Sequence, residues 1–317
     1  MERKRWKLGL LAGIVIVSFL LAGCSSGTQT GAGQITRWVF ATDHEFSVRP
    51  DGLPELQKVY DFQFDDVQVM DLGVTYGALK EGKVPVAMGF ATDGRIGAYG
   101  LVNLEDDKHF FPVYNPAPVV RKEVFDRYPE LAQILQKISS RLDTSTMIEL
   151  NGEVDIEGKE VKDVAKKWLT EEGILSPTPA AEKKGKITVG SKEFTEQLLV
   201  GAMTVQLLEN NGFEVQDKTG LAGTNVVRQA LETGEIDLYW EYTGTAWLTH
   251  LGHEEPITES EEAFQKVKEE DLAKNNLVWL DYADFDNTYT IMMRQEDAEA
   301  LGIKTISDLA RVIKEGK

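Results

Sequence analysis

The sequence predicts an α/β protein built from two units. Short apolar segments alternate with helical segments between residues 35 and 94, and the alternation returns between residues 187 and 313. Such alternation is typical of α/β folds. The linker Ser176 to Gly185, rich in Pro, Ala and Lys, is the clearest internal boundary. With 317 residues, the chain is long enough for two domains of modest size.

The first unit is predicted to alternate strands and helices up to a proline-rich segment. The predicted strands are Ile35 to Ala41, Val67 to Met70 and Val84 to Phe90, and the predicted helices are Leu53 to Tyr60 and Val74 to Lys80. Thr42 to Gly52 reads as a polar loop. Phe110 to Pro118 contains three prolines, which predicts an extended crossing segment.

A helical stretch follows from Tyr128 to Glu172. Apolar side chains recur there at helical spacing, which predicts two amphipathic helices packed on a core. The two apolar faces are Leu131, Ile134, Leu135 and Ile138, and then Val161, Val164, Ala165 and Trp168.

The second unit repeats the alternation. The predicted strands are Ile187 to Val189, Phe213 to Gln216, Ile236 to Trp240, Leu277 to Leu280 and Thr288 to Met293. The predicted helices are Glu196 to Asn210, Thr224 to Glu232, Phe264 to Lys274 and Ile306 to Ile313, and Ser191 to Thr195 reads as a turn.

We expect the chain to be organised around the stretch Asp237 to Trp247, DLYWEYTGTAW. We interpret it as a buried strand that ends in the turn Tyr242 to Thr245. Ligands of open α/β sheets bind beyond the ends of such strands. Its aromatic residues and small hydroxyls suit an aromatic wall with a polar floor, and they also suit an ordinary core strand.

Charge and the first residues limit the partners and the compartment. The net charge of −18 argues against nucleic acid and against docking of the protein surface on anionic lipid. Basic residues precede the apolar run Leu8 to Ala22, which is typical of a signal peptide ending at residue 23. Leu21-Ala22-Gly23-Cys24 resembles a lipobox, so we expect lipid on Cys24 to anchor the chain outside the cytoplasm. Residues 24–34 then form a flexible tether.

The sequence offers little support for catalysis. It contains no G-x-S-x-G motif, and Gly185 to Lys192 resembles a phosphate loop only loosely. His250 and His253 could ligate a metal, but two histidines in a polar loop are more often solvated. Cys24 is the single cysteine, and a lipidated cysteine is no nucleophile. We therefore predict a protein that is not an enzyme and that has neither metal nor cofactor.

Aromatic residues beside predicted turns favour a binding function. They are Tyr242, Tyr289, Tyr114 and Phe90. Aromatic faces carry negative quadrupole charge, so several rings around one cavity would hold a quaternary ammonium group. Core packing explains any one of these rings taken singly.

Six motifs together resemble the osmoprotectant-binding proteins of ABC importers, which bind glycine betaine, proline betaine, carnitine or choline. The motifs are ITVGSKEFTEQ from Ile187, DLYWEYTGT from Asp237, DNTYT from Asp286, EFSVRPDG from Glu45, TDG from Thr92 and DDKHFFPVYNPAP from Asp106. In the usual member the GSK and YTGT motifs come first. Their late position here predicts a circular permutation, with Ser176 to Gly185 joining the family's usual ends and Lys317 ending where Gln34-Ile35 would normally continue.

The resemblance implies a two-lobed, clam-like fold of the periplasmic-binding-protein type II class. It predicts a lobe that is split in sequence, residues 35–111 with 289–317, and a continuous lobe, residues 112–288. Below, these are called the split lobe and the continuous lobe. Tyr114 and Tyr289 would lie at the hinge crossings. The partners implied are the ABC permease, its ATPase and a small quaternary ammonium ligand.

The resemblance also implies the ligand residues. Tyr242, Tyr289, Phe90 and Tyr114 would form an aromatic cage, although the family more often has tyrosine at the position of Phe90. Lys192, Arg49 and Thr245 would bind a ligand carboxylate. Two cations at that end favour a zwitterionic betaine over choline, which offers only a hydroxyl there. Arg49 could bind a carboxylate with two parallel hydrogen bonds, while Lys192 would act as a point charge.

Other functions remain open at this point. A binding protein of the same fold for another small zwitterion or amino acid would tolerate alanine at Tyr242 and Tyr289. A permuted, non-transporting surface interaction protein would bind no solute. A hydrolase would need a nucleophile constellation that the sequence lacks.

Overall fold

The computed structural model describes residues 35–316. The predicted signal peptide, the tether and Cys24 lie outside these residues. None of the helices in the described part of the chain is long and apolar enough to cross a membrane. The strands are β1 Val39–Thr42, β2 Asp66–Val69, β3 Val86–Phe90, β4 Leu101–Leu104, β5 Pro116–Arg121, β6 Lys186–Lys192, β7 Glu214–Leu221, β8 Leu238–Tyr242, β9 Leu277–Trp279 and β10 Tyr289–Arg294.

The helices connect and cover these strands. They are α1 His44–Val48, α2 Leu53–Val59, α3 Leu72–Lys80, α4 Arg95–Ala98, α5 Lys122–Arg127, α6 Leu131–Ser139, α7 Thr144–Asp155, α8 Val161–Glu171, α9 Thr195–Asn210, α10 Thr224–Thr233, α11 Thr243–Thr245, α12 Ser260–Asn275, α13 Gln295–Leu301 and α14 Ile306–Glu315. A π-helical turn, Ala246–His250, continues α11.

Two mixed five-stranded sheets confirm the α/β, two-lobed prediction. The order is β2-β1-β3-β10-β4 in the split lobe and β7-β6-β8-β5-β9 in the continuous lobe. In the split lobe β1 is parallel to β2 and β3, and β10 is antiparallel to β3 and β4. In the continuous lobe β6 is parallel to β7 and β8, and β5 is antiparallel to β8 and β9. The fourth strand in each order is β10 in the split lobe and β5 in the continuous lobe. Each of them is the first strand after the chain crosses from the other lobe.

The predicted apolar helix faces are buried, with Val161 only partly so. In α6, Leu131, Leu135 and Ile138 have no exposed surface and Ile134 is 5% exposed, as the spacing predicts. These residues share one core with the β8 side chains Leu238 and Trp240. A second core lies on the opposite face of the same sheet and includes Tyr239 and Trp279. The alternation of β8 side chains between these two cores is that of a strand buried on both faces.

Three local predictions need correction. Residues 42–52 are not all loop, because α1 forms where the Asp43 carboxylate accepts a hydrogen bond from the Phe46 N–H at 2.8 Å and caps the helix. β6 extends through Lys192, so this lysine ends a strand instead of lying in a turn. The prolines of residues 116–118 lie inside β5, where their carbonyls still accept hydrogen bonds from Ala283 and Leu280 at 2.9 Å.

The two crossings between the lobes run side by side and are hydrogen-bonded to each other. The Tyr114 N–H donates to Asp286 Oδ1 at 2.8 Å, and the Asn287 N–H donates to the Tyr114 carbonyl at 3.2 Å. The Asn115 side-chain amide donates to the Phe285 carbonyl at 2.9 Å. The crossings therefore act as a paired segment, and relative motion of the lobes must bend both of them.

Asp286 should make stability depend on pH. Burial raises the pKa of Asp286 to about 6, and the hydrogen bond from Tyr114 offsets only part of that effect. A carboxyl pKa that is higher in the folded state stabilises the fold below the unfolded pKa, near 4, and this stability is lost as the pH rises through about 6. We expect Asp286→Asn, whose amide oxygen keeps the acceptor, to raise the free energy of unfolding at about pH 7.5 by roughly 1–2 kcal/mol.

Urea denaturation of both proteins at about pH 4 and about pH 7.5 measures this difference. The variant should be more stable at the higher pH and nearly equal at the lower one. An unchanged or lower stability of the variant at the higher pH would show that ionisation of the buried Asp286 carboxyl group does not destabilise the fold.

Candidate functional site

A cavity of about 800 Å³ lies between the lobes, at the ends of the parallel strands of both sheets. β3 and β8 end at Phe90 and Tyr242, and β6 ends at Lys192. All the ligand residues predicted from the sequence line this one cavity: Arg49, Phe90, Tyr114, Lys192, Tyr242, Thr245 and Tyr289. The fold therefore brings together residues that lie up to 240 positions apart in the chain (289 − 49).

Strand pairing and the hinge crossings place three of the aromatic rings. Tyr289 lies opposite Phe90 in the β10–β3 register, with their ring centroids 5.2 Å apart. Tyr114, on the other crossing, makes an edge contact with Tyr289 at 5.5 Å. Tyr114 and Tyr289 are 2% and 6% exposed, so their rings form an inner wall of the cavity. This arrangement also suits ordinary aromatic packing.

Phe194 is a ring that the sequence analysis missed. It stacks on Phe90 at 5.2 Å and faces Tyr242 at 6.2 Å, so it links rings of the two lobes. A large apolar residue in the otherwise polar SKEFTE stretch, directly before α9, is the signal that could have identified it. The cavity thus contains a continuous aromatic series from Tyr242 through Phe194 and Phe90 to Tyr289.

Arg49 is already engaged by a buried carboxylate. Its Nε and one Nη donate to the two oxygens of Asp51 at 2.7 and 2.6 Å, and the same Nη donates to Thr245 across the cleft at 3.2 Å. The guanidinium also lies over the Tyr289 ring at 5.4 Å. The two-bond contact expected for a ligand carboxylate is therefore made by Asp51, and the other Nη of Arg49 lies 3.8 Å from the Glu45 carboxylate.

Lys192 is paired in the same way. Its Nζ donates to Glu241 at 2.7 Å and lies 5.2 Å from the centre of the Tyr242 ring. The Glu241 carboxylate also accepts from the Tyr239 hydroxyl at 2.7 Å and approaches His250 Nε2 at 3.0 Å. Burial alone would raise the pKa of Glu241, but Lys192 and His250 outweigh burial and hold the pKa well below its ordinary value.

Glu196 is a second residue that the sequence analysis did not assign to the site. It lies in the first turn of α9, is 2% exposed and lines the cavity. The Tyr242 hydroxyl and the Asn287 amide donate to Oε1 at 2.7 and 2.9 Å. Thr92 and Asn151 donate to Oε2 at 2.5 and 3.4 Å. Burial raises the pKa of Glu196, and these four hydrogen bonds oppose the rise.

Polar contacts join the lobes directly around the cavity. Besides the bond from Thr92 to Glu196, the Glu45 carboxylate accepts from the backbone N–H and the hydroxyl of Thr224, at 2.5 and 3.0 Å, at the start of α10. An acidic group at a helix N-terminus is favourable because it satisfies free N–H groups there. Arg95 pairs with Asp155 of α7 at 3.4 Å. The lobes are therefore in a closed arrangement, held by hydrogen bonds and an ion pair between residues around the cavity.

The two histidines do not lie together in a solvated loop. His250 ends the π-helical turn and is buried against Glu241, while His253 stacks on Trp247 at 3.5 Å and contacts Glu270 at 2.9 Å. Within residues 35–316 no group of His, Cys, Asp and Glu side chains is arranged to hold a metal ion.

Comparison with known proteins identifies a family. The family described as the substrate binding domain of ABC-type glycine betaine transport systems matches residues 30–171 and 185–317. A glycine-betaine-binding protein of Pseudomonas aeruginosa is 44% identical over 146 residues, which is 45% of this chain and 47% of that protein. A carnitine transport binding protein of Listeria monocytogenes is 39% identical over 119 residues, 38% of this chain and 39% of that protein.

A solved structure of a glycine betaine/carnitine/choline ABC transporter is 34% identical, with a TM-score of 0.35 over 44% of this chain and 51% of that chain. The chain spans less than half the length of the Pseudomonas aeruginosa and Listeria monocytogenes relatives.

Proposed function

Because the chain belongs to the family of substrate-binding domains of ABC-type glycine betaine transport systems, we propose that it captures a quaternary ammonium solute, a betaine, and delivers it to an ABC importer for osmoprotection. The family is one of transport binding proteins, not of enzymes. The observation that carries the proposal is the aromatic series around the cavity between two hinged lobes. A cation without hydrogen-bond donors is recognised by aromatic faces, each contributing about 0.5–2 kcal/mol.

We assign the ligand's cation to Tyr242, Tyr289, Phe90 and Tyr114, with Phe194 closing the series. The ligand's carboxylate is assigned to Lys192, Arg49 and Thr245. Arg49 and Lys192 keep their buried carboxylate partners, Asp51 and Glu241. They would bind the ligand's carboxylate through N–H groups at the cavity wall. A betaine that contacts both lobes stabilises the closed form by its differential contacts.

The proposal includes a rearranged chain order. The motifs that precede the others in the usual member follow them here, and the family matches two segments separated by residues 172–184. We therefore propose a circular permutation with the linker Ser176 to Gly185 as the new connection, and lobe boundaries at 111/112 and 288/289. The permease and its ATPase are the proposed protein partners, and lipid on Cys24 is the proposed anchor at the extracytoplasmic face of the membrane.

Isothermal titration calorimetry with glycine betaine, carnitine and choline tests the proposed function. We expect saturable heat with glycine betaine, because the cavity offers both aromatic faces and N–H donors. Tight choline binding without betaine binding would contradict the zwitterion assignment. A folded protein that gives no heat with any of the three ligands would contradict the quaternary ammonium assignment as a whole.

A further inference from the structure

The cations that line the cavity already have carboxylate partners. Arg49 pairs with Asp51, Lys192 with Glu241, and Arg95 with Asp93 and Asp155. Arg49 also lies 3.8 Å from Glu45. Since each of these three side chains is already paired with carboxylates other than Glu196, each has little net charge to offer to a further acid in the cavity.

Glu196 has no such partner. No Lys or Arg within residues 35–316 forms an ion pair with its carboxylate, which is held by uncharged donors from Thr92, Asn151, Tyr242 and Asn287. Neutral donors orient a carboxylate and partly replace its water, but they leave its charge uncompensated. An uncompensated buried charge is costly, so a cation that enters the cavity gains from completing the pair.

The position of Glu196 suits this role. Its Oε1 lies 2.7 Å from the Tyr242 hydroxyl, and Thr92, two residues beyond Phe90, contacts its Oε2. The carboxylate is thus hydrogen-bonded to the hydroxyl of one proposed cage residue, Tyr242, and lines the same cavity as Phe90. Methyl groups prevent direct hydrogen bonding to the nitrogen, but charge attraction acts over several ångströms in a poorly hydrated cavity.

We propose, as an extension that rests on the proposed function, that Glu196 is the counter-ion of the bound quaternary ammonium and selects a cation over an uncharged group of the same shape. Aromatic faces favour a cation moderately and also bind a tert-butyl group by apolar contact. The buried anion distinguishes the two, because its attraction requires the ligand's positive charge. Glu196 also positions Tyr242, so its charge must be separated from its hydrogen bonds by experiment.

The test compares glycine betaine with 3,3-dimethylbutanoate, in which carbon replaces the ammonium nitrogen and the carboxylate is kept. Calorimetry of the purified protein and of Glu196→Gln gives the ratio of the two affinities. The amide keeps the size and an acceptor oxygen but removes the charge. We expect the preference for betaine to fall by about tenfold or more in Glu196→Gln. An unchanged ratio, including the case in which both affinities fall equally, would overturn the proposal.

A second variant supplies the charge internally. Asn151 Nδ2 lies 3.4 Å from Glu196 Oε2, so Asn151→Lys places an ammonium beside the carboxylate. The preference for betaine should fall in this variant with Glu196 in place, which decides the matter if Glu196→Gln does not fold. A preserved preference in folded Asn151→Lys would overturn the proposal. If the unchanged protein binds betaine but neither variant alters the ratio of the two affinities, the role of Glu196 is refuted and the proposed function stands. If the unchanged protein does not bind betaine, both the role of Glu196 and the proposed function are refuted.

Discussion

Replacing Tyr242 with alanine is expected to weaken glycine betaine binding about 30-fold, since one desolvated cation–π contact contributes up to about 2 kcal/mol. Tyr242 ends β8, is 4% exposed and lies in the aromatic series through Phe194. Its loss removes a ring face and also leaves Glu196 without one donor. Titration calorimetry on the folded variant measures the effect.

Tyr242→Phe is the matched control. It keeps the ring and removes only the hydroxyl that donates to Glu196 at 2.7 Å. We expect it to bind betaine more tightly than Tyr242→Ala. An equal loss of affinity in both variants would assign the role of Tyr242 to its hydroxyl instead of its ring. Near-normal binding by Tyr242→Ala would show that Tyr242 is not part of the cage.

Replacing Lys192 with methionine is expected to lower the free energy of unfolding by about 3–5 kcal/mol, the usual cost of leaving one partner of a buried ion pair alone. Glu241 has no exposed surface and Lys192 is 4% exposed, so the variant leaves a buried carboxylate without its cationic partner. His250 and Tyr239 remain beside Glu241 and would limit the loss. Urea denaturation near neutral pH measures it.

The double variant Lys192→Met with Glu241→Gln is the control for that loss. It removes both charges, so it should recover a large part of the stability lost in Lys192→Met alone. The Lys192→Met deficit should also shrink in acid, where protonation of Glu241 removes the unpaired charge. A double variant that is no more stable than Lys192→Met would show that the stability lost does not arise from the unpaired carboxylate.

The sequence predicts many of the local elements, and the residues it nominates for ligand binding line one cavity, for identifiable reasons. The α6 face at 3.6-residue spacing is buried as predicted, because one helix face is read from residues close in sequence. The ends of β3 and β8 lie at one cavity, because the carboxyl ends of parallel strands share an edge of each sheet. Motif resemblance then adds Arg49 and Lys192, which no periodicity identifies.

The polar contacts between the lobes could not be predicted in the same way. Thr92 and Glu196 are 104 residues apart, and Glu45 and Thr224 are 179 apart, so these contacts exist only after the lobes close. Helix α1 is not predicted from the sequence, because its N-cap, Asp43, lies in a stretch whose polar composition suggests a loop. In a chain with 52 Asp and Glu residues, the sequence does not show which carboxylates line the cavity. Only the fold distinguishes Glu196 from the others.

A crystal structure with glycine betaine would show directly whether the aromatic rings hold the ligand's cation. We expect the trimethylammonium group among the rings of Tyr242, Phe90 and Tyr289, within about 6 Å of their centroids. We expect the ligand carboxylate at the end of the cavity that holds Lys192 and Arg49. A ligand bound outside the cavity, or one with its ammonium turned toward Lys192 and Arg49, would contradict the proposed binding mode.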